Sequence, residues 1–236
     1  LRQKPARSNR KKPAAEGAPP PKRLAPKTVN LVLALAKQIM AHAVDHELVP
    51  ENPWRGVKLF KLPEREFSYW TPAERDAFLE KARTLDPDFA RLCAVACHTG
   101  LRLGELAALR RQDLDFERRM IRVRGTWHVA GRKDGHDEGR ITPTKGKEVA
   151  SIEMNSVAIR ALEPARFLKG PDAWVFPRSL FWSARHRLGR LATKVGVAPI
   201  RFHDLRHTFA SCLAMGGVPL LTIQQHLRHK SYAMTL

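Results

Sequence analysis

Three side chains in two short segments are suited to gripping a phosphodiester. Arg102 lies in the segment 98–106, HTGLRLGEL, while His203 and Arg206 lie in the segment 203–211, HDLRHTFAS. The planar guanidinium of arginine donates paired hydrogen bonds to nonbridging phosphate oxygens and stays charged. His203 and Arg206 are three residues apart, so on a helix they share a face and address the same phosphate. These residue types predict a pocket in which two guanidinium groups and an imidazole bind one phosphate.

Each segment on its own also has an ordinary structural interpretation. Arg102 stands between a glycine-terminated helix and a new helix, which is a favourable place for an anion. An isolated T-G-x-R is nevertheless more often a solvated surface arginine. Similarly, an isolated H-x-x-R is more often a histidine that caps a helix beside an arginine paired with a carboxylate, here His203 with Arg206 and Asp204.

Four histidines in the last third of the chain raise the alternative of a metal site. His203 and His207 have the i, i+4 spacing of two-histidine ligation, and His226 and His229 follow. The glutamate of an H-E-x-x-H motif is missing, and Arg206 between the first pair would repel a cation. The sequence therefore predicts no metal and no cofactor.

The chain is strongly basic, which favours a polyanionic partner. It carries 42 Lys and Arg against 23 Asp and Glu, a formal net charge of +19 with a pI near 10.7. Residues 1–27 hold nine Lys and Arg and one acid, a net +8, which leaves +11 on the rest of the chain. Nucleic acid is the partner that this charge predicts.

Helical patterns must position the candidate side chains. Apolar residues recur at helical spacing from Thr28, the predicted N-cap, to Pro50. A capping box at Thr71, with Pro72 at the first helical position, opens the next helix. Further helices are predicted over Asp88 to Cys97, Leu103 to Arg110, Ser156 to Leu168, Ser183 to Lys194, His203 to Gly216 and Pro219 to Leu227. Both candidate segments therefore lie where a helix begins.

Between these helices the periodicity changes to two. Met120 to Gly125 alternate, a polar, glycine-bearing excursion spans Val129 to Arg140, and a partner strand covers Val149 to Met154. The two strands predict a small antiparallel sheet. The fold class predicted is α+β, mainly α-helical. Cys93 and Cys97, four apart in an apolar run, predict buried reduced thiols.

The composition of the N-terminal segment predicts whether it is ordered, and the length of the apolar stretches predicts whether the chain spans a membrane. Residues 1–27 hold six of the 17 prolines and almost no large apolar side chains, which predicts a basic segment that is disordered or becomes ordered only on a partner. The longest apolar stretch, Val29 to Ala36, is far too short to span a bilayer, and no signal peptide pattern opens the chain. A cytoplasmic protein with no membrane partner is predicted.

Taken together, the two candidate segments resemble the paired signature boxes of the tyrosine recombinase (phage integrase) family. They lie about a hundred residues apart, and the resemblance extends loosely over residues 28–236. It implies that Arg102 and Arg206 grip the scissile phosphate. It also implies that His203 transfers protons and orients the phosphate.

The other site residues of the family are carried over from shorter segments. Residues 225–231, QHLRHKS, are similar to the family's L-G-H-x-S/T segment, which implies His229 as an active-site histidine, although Arg228 stands where the family usually has glycine. The family's general-acid lysine is assigned to Lys145, with Lys147 as the alternative. The nucleophilic tyrosine is expected at position 238, two residues past the end of the sequence, so the chain is expected to be part of a longer protein.

The resemblance implies a domain organisation and an activity. Residues 1–27 form the basic segment, 28–62 a partial helical core-binding domain, 63–68 a linker and 69–236 the catalytic domain. The implied activity is site-specific DNA recombination, integration or excision, through a 3′-phosphotyrosine intermediate. The implied partners are double-stranded DNA, a homo-tetramer on two DNA sites and accessory DNA-bending proteins, in the nucleoid. The alternative is a basic DNA-binding or architectural module without catalysis.

Overall fold

The computed structural model describes residues 24–63, 67–133, 136–143 and 149–228. These residues fall into two units that divide between residues 65 and 66. The first unit contains one long helix, and the second contains the remaining helices and all of the described strands. The candidate side chains Arg102, His203 and Arg206 all belong to the second unit.

The first unit is built on helix α1, Pro26–Asp45. Its N-cap is Ala25, and Pro26 occupies the first turn, where a fixed φ and a missing N–H are tolerated. The prediction that Thr28 caps this helix is wrong, because Thr28 lies inside the first turn and its N–H already donates to the Ala25 carbonyl at 2.8 Å. The helix also ends five residues before Pro50, and turns follow it.

No residue of α1 is buried. Its apolar side chains Leu31, Val32, Leu35 and Ile39 are all more than half exposed. The extended segment that follows is tied back by Asn30, whose Nδ2 donates to the Phe60 carbonyl at 2.9 Å and whose Oδ1 accepts from the Phe60 N–H at 2.8 Å. The assignment of this unit to a partial core-binding domain stays a prediction.

The first helix of the second unit is α2, Pro72–Leu85. As predicted, it begins with a capping box at Thr71 and with Pro72 in its first turn. The Thr71 hydroxyl accepts from the Glu74 N–H at 3.3 Å, and the Glu74 carboxylate accepts from the Thr71 N–H at 2.8 Å. The two residues thereby satisfy each other's backbone donors, which is the purpose of a capping box.

Helix α3, Pro87–Thr99, forms the centre of the core. Nine of its thirteen residues are buried, and the free thiols of Cys93 and Cys97 are among them, as predicted. The helix stops at Gly100, whose φ of 65° lies in the left-handed region that glycine adopts without steric cost. The chain then turns directly into the next helix.

The remaining helices follow the predicted order with one addition. They are α4, Leu103–Ala108; α5, Ser156–Leu162; α6, Ser179–Trp182; α7, Ala184–Val195; α8, Asp204–Met215; and α9, Leu220–Leu227. A 3₁₀ turn, Glu163–Phe167, continues α5 where Pro164 interrupts the helical hydrogen bonds. Helix α6 was not predicted, since four residues are too few to show a helical period.

Within the described ranges, five strands form two small antiparallel sheets. The strands are β1, Leu114–Asp115; β2, Met120–Val123; β3, Gly125–Lys133; β4, His136–Pro143; and β5, Ala150–Glu153. The first sheet has the order β1-β2-β5, with Ile121 opposite Ile152, which confirms the predicted pairing. In the second sheet β3 pairs with β4.

The β3–β4 hairpin corrects one prediction. The sequence pattern predicted a polar, glycine-bearing excursion over Val129 to Arg140. The described residues of this segment, 129–133 and 136–140, instead belong to two paired strands with a register shift between Val129 and Gly131. The pairing depends on backbone hydrogen bonds, which charged and glycine residues form as well as apolar ones do. Residues 129–140 do not alternate between polar and apolar side chains, so the periodicity of the sequence did not predict these strands.

Aromatic residues close the core around α3. Trp70 and Phe78 are fully buried with ring centroids 4.5 Å apart, and the Trp70 indole donates to the Ala198 carbonyl at 2.8 Å. Among the residues that the structure describes, no helix combines the length and apolar composition needed to cross a bilayer.

Candidate active site

Arg102 is placed by the turn between α3 and α4. It is the N-cap residue of α4, and its N–H donates to Glu105 Oε2 at 2.9 Å. Its side-chain Nη1 donates to Glu105 Oε1 at 3.0 Å, and the side chain remains 39% exposed. The guanidinium is thus oriented by a carboxylate and still reachable from solvent at a helix N-terminus, where anions are favoured.

The two glycines that flank Arg102 are required by close contacts. A Cβ on Gly100 would lie 2.6 Å from Cδ1 of Phe209 on α8, and one on Gly104 would lie 2.8 Å from the Trp127 carbonyl oxygen on β3. Both distances are shorter than real Cβ contacts. Glycine therefore brings the first candidate segment against α8 on one side and the hairpin on the other.

Arg206 lies on α8 and is buried, with 3% of its surface exposed. Its Nη1 donates to the Gly100 carbonyl at 2.5 Å and its Nη2 donates to the Leu227 carbonyl. An arginine has five N–H donors, so these two bonds leave donors for a phosphate. Burial, followed by the nearby charge of Arg102, lowers the pKa of Arg206 to about 9, and the guanidinium stays charged at neutral pH.

The interpretation in which Arg206 pairs with Asp204 is wrong. Asp204 instead accepts from the side chain of Arg201 at 2.6 and 2.9 Å. Burial acts to raise the pKa of the Asp204 carboxyl, but its bonds from Arg201 outweigh this and lower the pKa. Arg206 is therefore held by backbone carbonyls, and its charge is not cancelled by the neighbouring acid.

His203 is the N-cap residue of α8, but its side chain makes no capping hydrogen bond. Its ring centroid lies 5.2 Å from that of His207, at an interplanar angle of 85°. Burial lowers the pKa of His203, and the charges of His207, Arg206 and Arg102 lower it further. The ring is consequently neutral at pH 7 and able to accept a proton.

Thr208 fixes the register of α8 against the rest of the unit. Its fully buried hydroxyl donates to the Asp204 carbonyl at 3.0 Å and accepts from the Trp70 N–H at 3.1 Å. A threonine at this point of the segment thus connects the helix that carries Arg206 to the start of the unit.

The structure brings together Arg102, His203 and Arg206, the three residues predicted from the two boxes. The charge of Arg102 acts on both of the other side chains, and Arg206 donates to the residue two before Arg102. Lys145, its alternative Lys147, and His229 lie outside the described residues. Their assignments stay predictions.

Two further residues belong to this cluster and were not predicted from the sequence as site residues. The Glu105 side chain, 4% exposed, accepts from Arg102 and also from Arg228, whose Nη2 lies 2.7 Å from Oε2. Burial acts to raise the pKa of Glu105, but the charge of Arg228 and the bond from Arg102 hold it below its ordinary value. The spacing of Glu105 three residues after Arg102 was the available signal. For Arg228 only the unusual residue at a glycine position was visible.

The described residues do not support the metal alternative, and the cavity described below is separate from this cluster. Within the described ranges, no group of three or more His, Cys, Asp or Glu side chains is arranged to hold a metal ion. A cavity of about 580 Å³ is lined by residues of α2, α3 and α5. Arg102, His203 and Arg206 do not line it, so it is separate from the candidate site.

Comparison with known proteins gives the family. The model of the phage integrase family matches residues 70–236. This match covers well over half of the chain, and the chain belongs to that family. The resemblance read from the two boxes is confirmed.

Individual relatives agree with this assignment. The chain is 26% identical over 230 residues to the ICEBs1 integrase of Bacillus subtilis, covering 90% of this chain and 61% of the relative. It is 29% identical over 227 residues to the tyrosine recombinase XerC of Chlamydia trachomatis, covering 89% and 65%. The chain thus spans about three fifths of the length of these curated relatives.

Solved structures confirm the fold. The Tn1549 transposon integrase, solved in complex with a circular intermediate DNA, matches with a TM-score of 0.76 at 23% identity, covering 90% of this chain and 74% of the other. At this identity the likeness establishes the architecture alone. The predicted fold class, mainly helical with a small antiparallel sheet, is confirmed.

Proposed function

We propose that this chain carries the phosphate-binding part of the cleavage site of a site-specific DNA recombinase. The observation that carries the proposal is the convergence of Arg102, Arg206 and a neutral His203 on one small region of the second unit. Two chain segments about a hundred residues apart in the sequence are needed to build this cluster. The alternative of a DNA-binding module without chemistry gives no reason for it.

Arg102 and Arg206 stabilise the transition state of phosphoryl transfer. Negative charge builds on the nonbridging oxygens as the nucleophile attacks, and fixed guanidinium donors that face those oxygens lower the barrier. Arg206 is fixed by the carbonyls of Gly100 and Leu227, and Arg102 by Glu105. The donors are thus oriented before DNA arrives.

The reaction exchanges one phosphate ester for another. The tyrosine expected at position 238 gives up its hydroxyl proton, and its oxygen forms a bond to phosphorus. The bond from phosphorus to the 5′ oxygen breaks, and that oxygen takes a proton and leaves as a hydroxyl. A 3′-phosphotyrosine stores the ester, so neither ATP nor a metal ion is required.

Two groups would move these protons. His203, neutral at pH 7, accepts or relays the proton at the attacking side, and it orients the phosphate together with Arg206. Lys145, or Lys147 in its place, protonates the leaving 5′ oxygen, and His229 completes the site. These roles are carried over from the family resemblance.

Double-stranded DNA is the proposed substrate. The net charge of +19 supports it, as do related integrases solved in complex with DNA. Recombination joins two duplexes and exchanges four strands, for which a homo-tetramer on two DNA sites is proposed. Accessory DNA-bending proteins and a location at the nucleoid belong to the same proposal.

The decisive experiment uses Arg102→Ala in a protein that includes the tyrosine expected at position 238. Covalent protein–DNA adduct should fall by about 10²- to 10³-fold, because one fixed transition-state donor is lost. Duplex affinity should change by less than about threefold, since many phosphates contribute to binding. Arg102 is the better choice than Arg206, whose bonds to two carbonyls make it structural as well.

The matched control is Arg190→Ala, which removes one charge from the exposed face of α7. It should cleave at the wild-type rate. Equal loss of binding and adduct in Arg102→Ala would contradict the catalytic assignment and favour the DNA-binding module.

A further inference from the structure

Arg228 ends α9 in a backbone conformation that arginine rarely adopts. Its φ is 56° and its ψ is 43°, in the left-handed region. A side chain with a Cβ is disfavoured there, which is why glycine is common at such helix ends. Arginine at this position therefore calls for a compensating interaction of its side chain.

That interaction is an ion pair with a buried carboxylate. Arg228 Nη2 lies 2.7 Å from Glu105 Oε2, and the exposed fractions of the two side chains are 20% and 4%. Glu105 Oε1 accepts from Arg102 Nη1 at 3.0 Å. The two guanidinium groups thus bind different carboxylate oxygens, while Oε2 also accepts from the Arg102 N–H. The carboxylate joins the first turn of α4 to the end of α9.

The same turn is held at its backbone. The Leu227 carbonyl, directly before Arg228, accepts from Arg206 Nη2, and Leu227 itself is 2% exposed. Arg206 also donates to the Gly100 carbonyl. The turn is thus connected to both predicted phosphate clamps, to Arg206 through its backbone and to Arg102 through the shared carboxylate.

We propose that Arg228 is a positioning residue of this site. Its bond to Glu105 fixes the end of α9, and it prevents the carboxylate from rotating away from Arg102. The inference rests on the proposed function, because it concerns the geometry of the same phosphate pocket. Arg228 acts through its neighbours, and its role does not require contact with the reacting atoms.

Three substitutions at position 228 distinguish the effect of the side chain from that of the left-handed backbone conformation. Arg228→Gly and Arg228→Asn both tolerate a left-handed φ, but neither reaches the Glu105 carboxylate. Arg228→Lys keeps a charged donor with a similar reach. Glycine adopts the left-handed conformation without steric cost. In Arg228→Gly this gain offsets part of the stability that is lost with the ion pair, so the variant is expected to fold.

The measurement is single-turnover cleavage of a duplex carrying the recombination site, with duplex affinity and melting temperature measured on the same samples. Arg228→Gly and Arg228→Asn should cleave about 10- to 100-fold more slowly, the effect of a small misplacement of catalytic groups. Their duplex affinity should stay within about threefold of wild type, with melting temperatures close to the wild-type value. Arg228→Lys should recover part of the rate.

Each outcome decides a different question. Wild-type cleavage by Arg228→Gly overturns this inference alone, as does a parallel fall of cleavage, affinity and melting temperature, which marks a structural role. Arg190→Ala loses the same charge on an exposed surface, and an equal loss of rate there also overturns it. All variants are made in a protein that includes the tyrosine expected at position 238. If that protein without a substitution at position 228 forms no adduct, the proposed function fails, and this inference fails with it.

Discussion

At the scale of single residues, the candidate site places three guanidinium groups beside one buried carboxylate. Arg206 is almost fully buried, and the charges of Arg102 and Arg228 act to lower its pKa, while Glu105 opposes them. Glu105 stays ionised because Arg228 and Arg102 outweigh the effect of its burial on its pKa. Three positive groups against one negative group leave an excess of positive charge, which a phosphate would neutralise.

His98 gives a prediction about pH and stability. Its Nδ1 accepts from the Asn155 side-chain amide at 3.0 Å, and its buried Nε2 has no partner. Burial, followed by the charge of Arg75, lowers the pKa of His98 to about 4. Between pH 6.5 and 4 the unfolded chain therefore binds the proton more readily than the folded protein does, and the free energy of unfolding decreases as the pH falls through this window.

His98→Gln should remove this contribution. From pH 7 to 4.5 the variant should lose about 2 kcal/mol less free energy of unfolding than the wild type. Urea unfolding at both pH values measures it. His186→Gln, at an exposed position of α7, is the control and should follow the wild type. Identical pH profiles for His98→Gln and wild type would contradict the buried, neutral histidine.

Residue types and spacing predicted the core of the candidate site but not its supports. Arg102, His203 and Arg206 stood out because arginine and histidine at helix starts have a direct chemical meaning. Glu105 was not singled out because a glutamate in the first turn of a helix is ordinary, and its burial depends on residues far along the chain. The link from Arg228 to Glu105 spans 123 positions, and local patterns contain no information about it.

At the scale of elements, the β3–β4 hairpin is held to the helical core by Trp127. The indole ring of Trp127 packs against Gly139, and a Cβ added to Gly139 would lie 2.1 Å from the indole nitrogen. The guanidinium of Arg178 lies 4.4 Å from the ring centroid of Trp127 and 3.7 Å from that of Trp174. Arg178 also donates to the Ala107 carbonyl at the end of α4 at 2.9 Å. One arginine thus links the hairpin, α4 and the segment before α6.

Arg178→Ala should destabilise the unit by about 2 kcal/mol, since two cation–π contacts and a hydrogen bond at a helix C-terminus are lost. Urea unfolding measures the loss, and amide hydrogen exchange should show faster opening of β3 and β4 than of α3. Arg178→Lys keeps the charge without the planar stacking and should recover only part of the stability. Arg190→Ala is the control. Uniform exchange across the unit would argue against a specific anchor for the hairpin.

Elements with local signals were predictable, and those held by distant contacts were not. The capping box at Thr71 gave the start of α2, and the break before Gly100 gave α3 to within two residues at each end. The hairpin lacks such a signal because Trp127 is the buried side chain among its residues of described burial, and one residue shows no period. Gly104 and Gly139 had meaning only once the neighbouring chain was known to approach them.

At the scale of the whole molecule, family and charge agree with the proposed partner. The chain belongs to the phage integrase family, and its excess of 42 basic over 23 acidic residues favours a polyanion such as DNA. Charge alone predicts binding but not cleavage. The division of that charge along the chain makes a separate test possible.

DNA affinity should depend steeply on salt, and both parts of the chain should contribute. Each phosphate neutralised releases counterions, and a protein with about six to ten such contacts loses roughly 10³- to 10⁵-fold in affinity between ~50 and ~200 mM salt. Residues 1–27 carry +8 of the +19 charges. A variant that starts at Thr28 should therefore show a shallower slope of log Kd against log salt that remains clearly nonzero, because a net charge of +11 is left.

Fluorescence anisotropy on one duplex at several salt concentrations measures both slopes. A flat response of the full chain would point to a partner other than DNA, and a flat response of the shortened chain alone would assign the binding to the basic segment and contradict a DNA-gripping surface on the folded units.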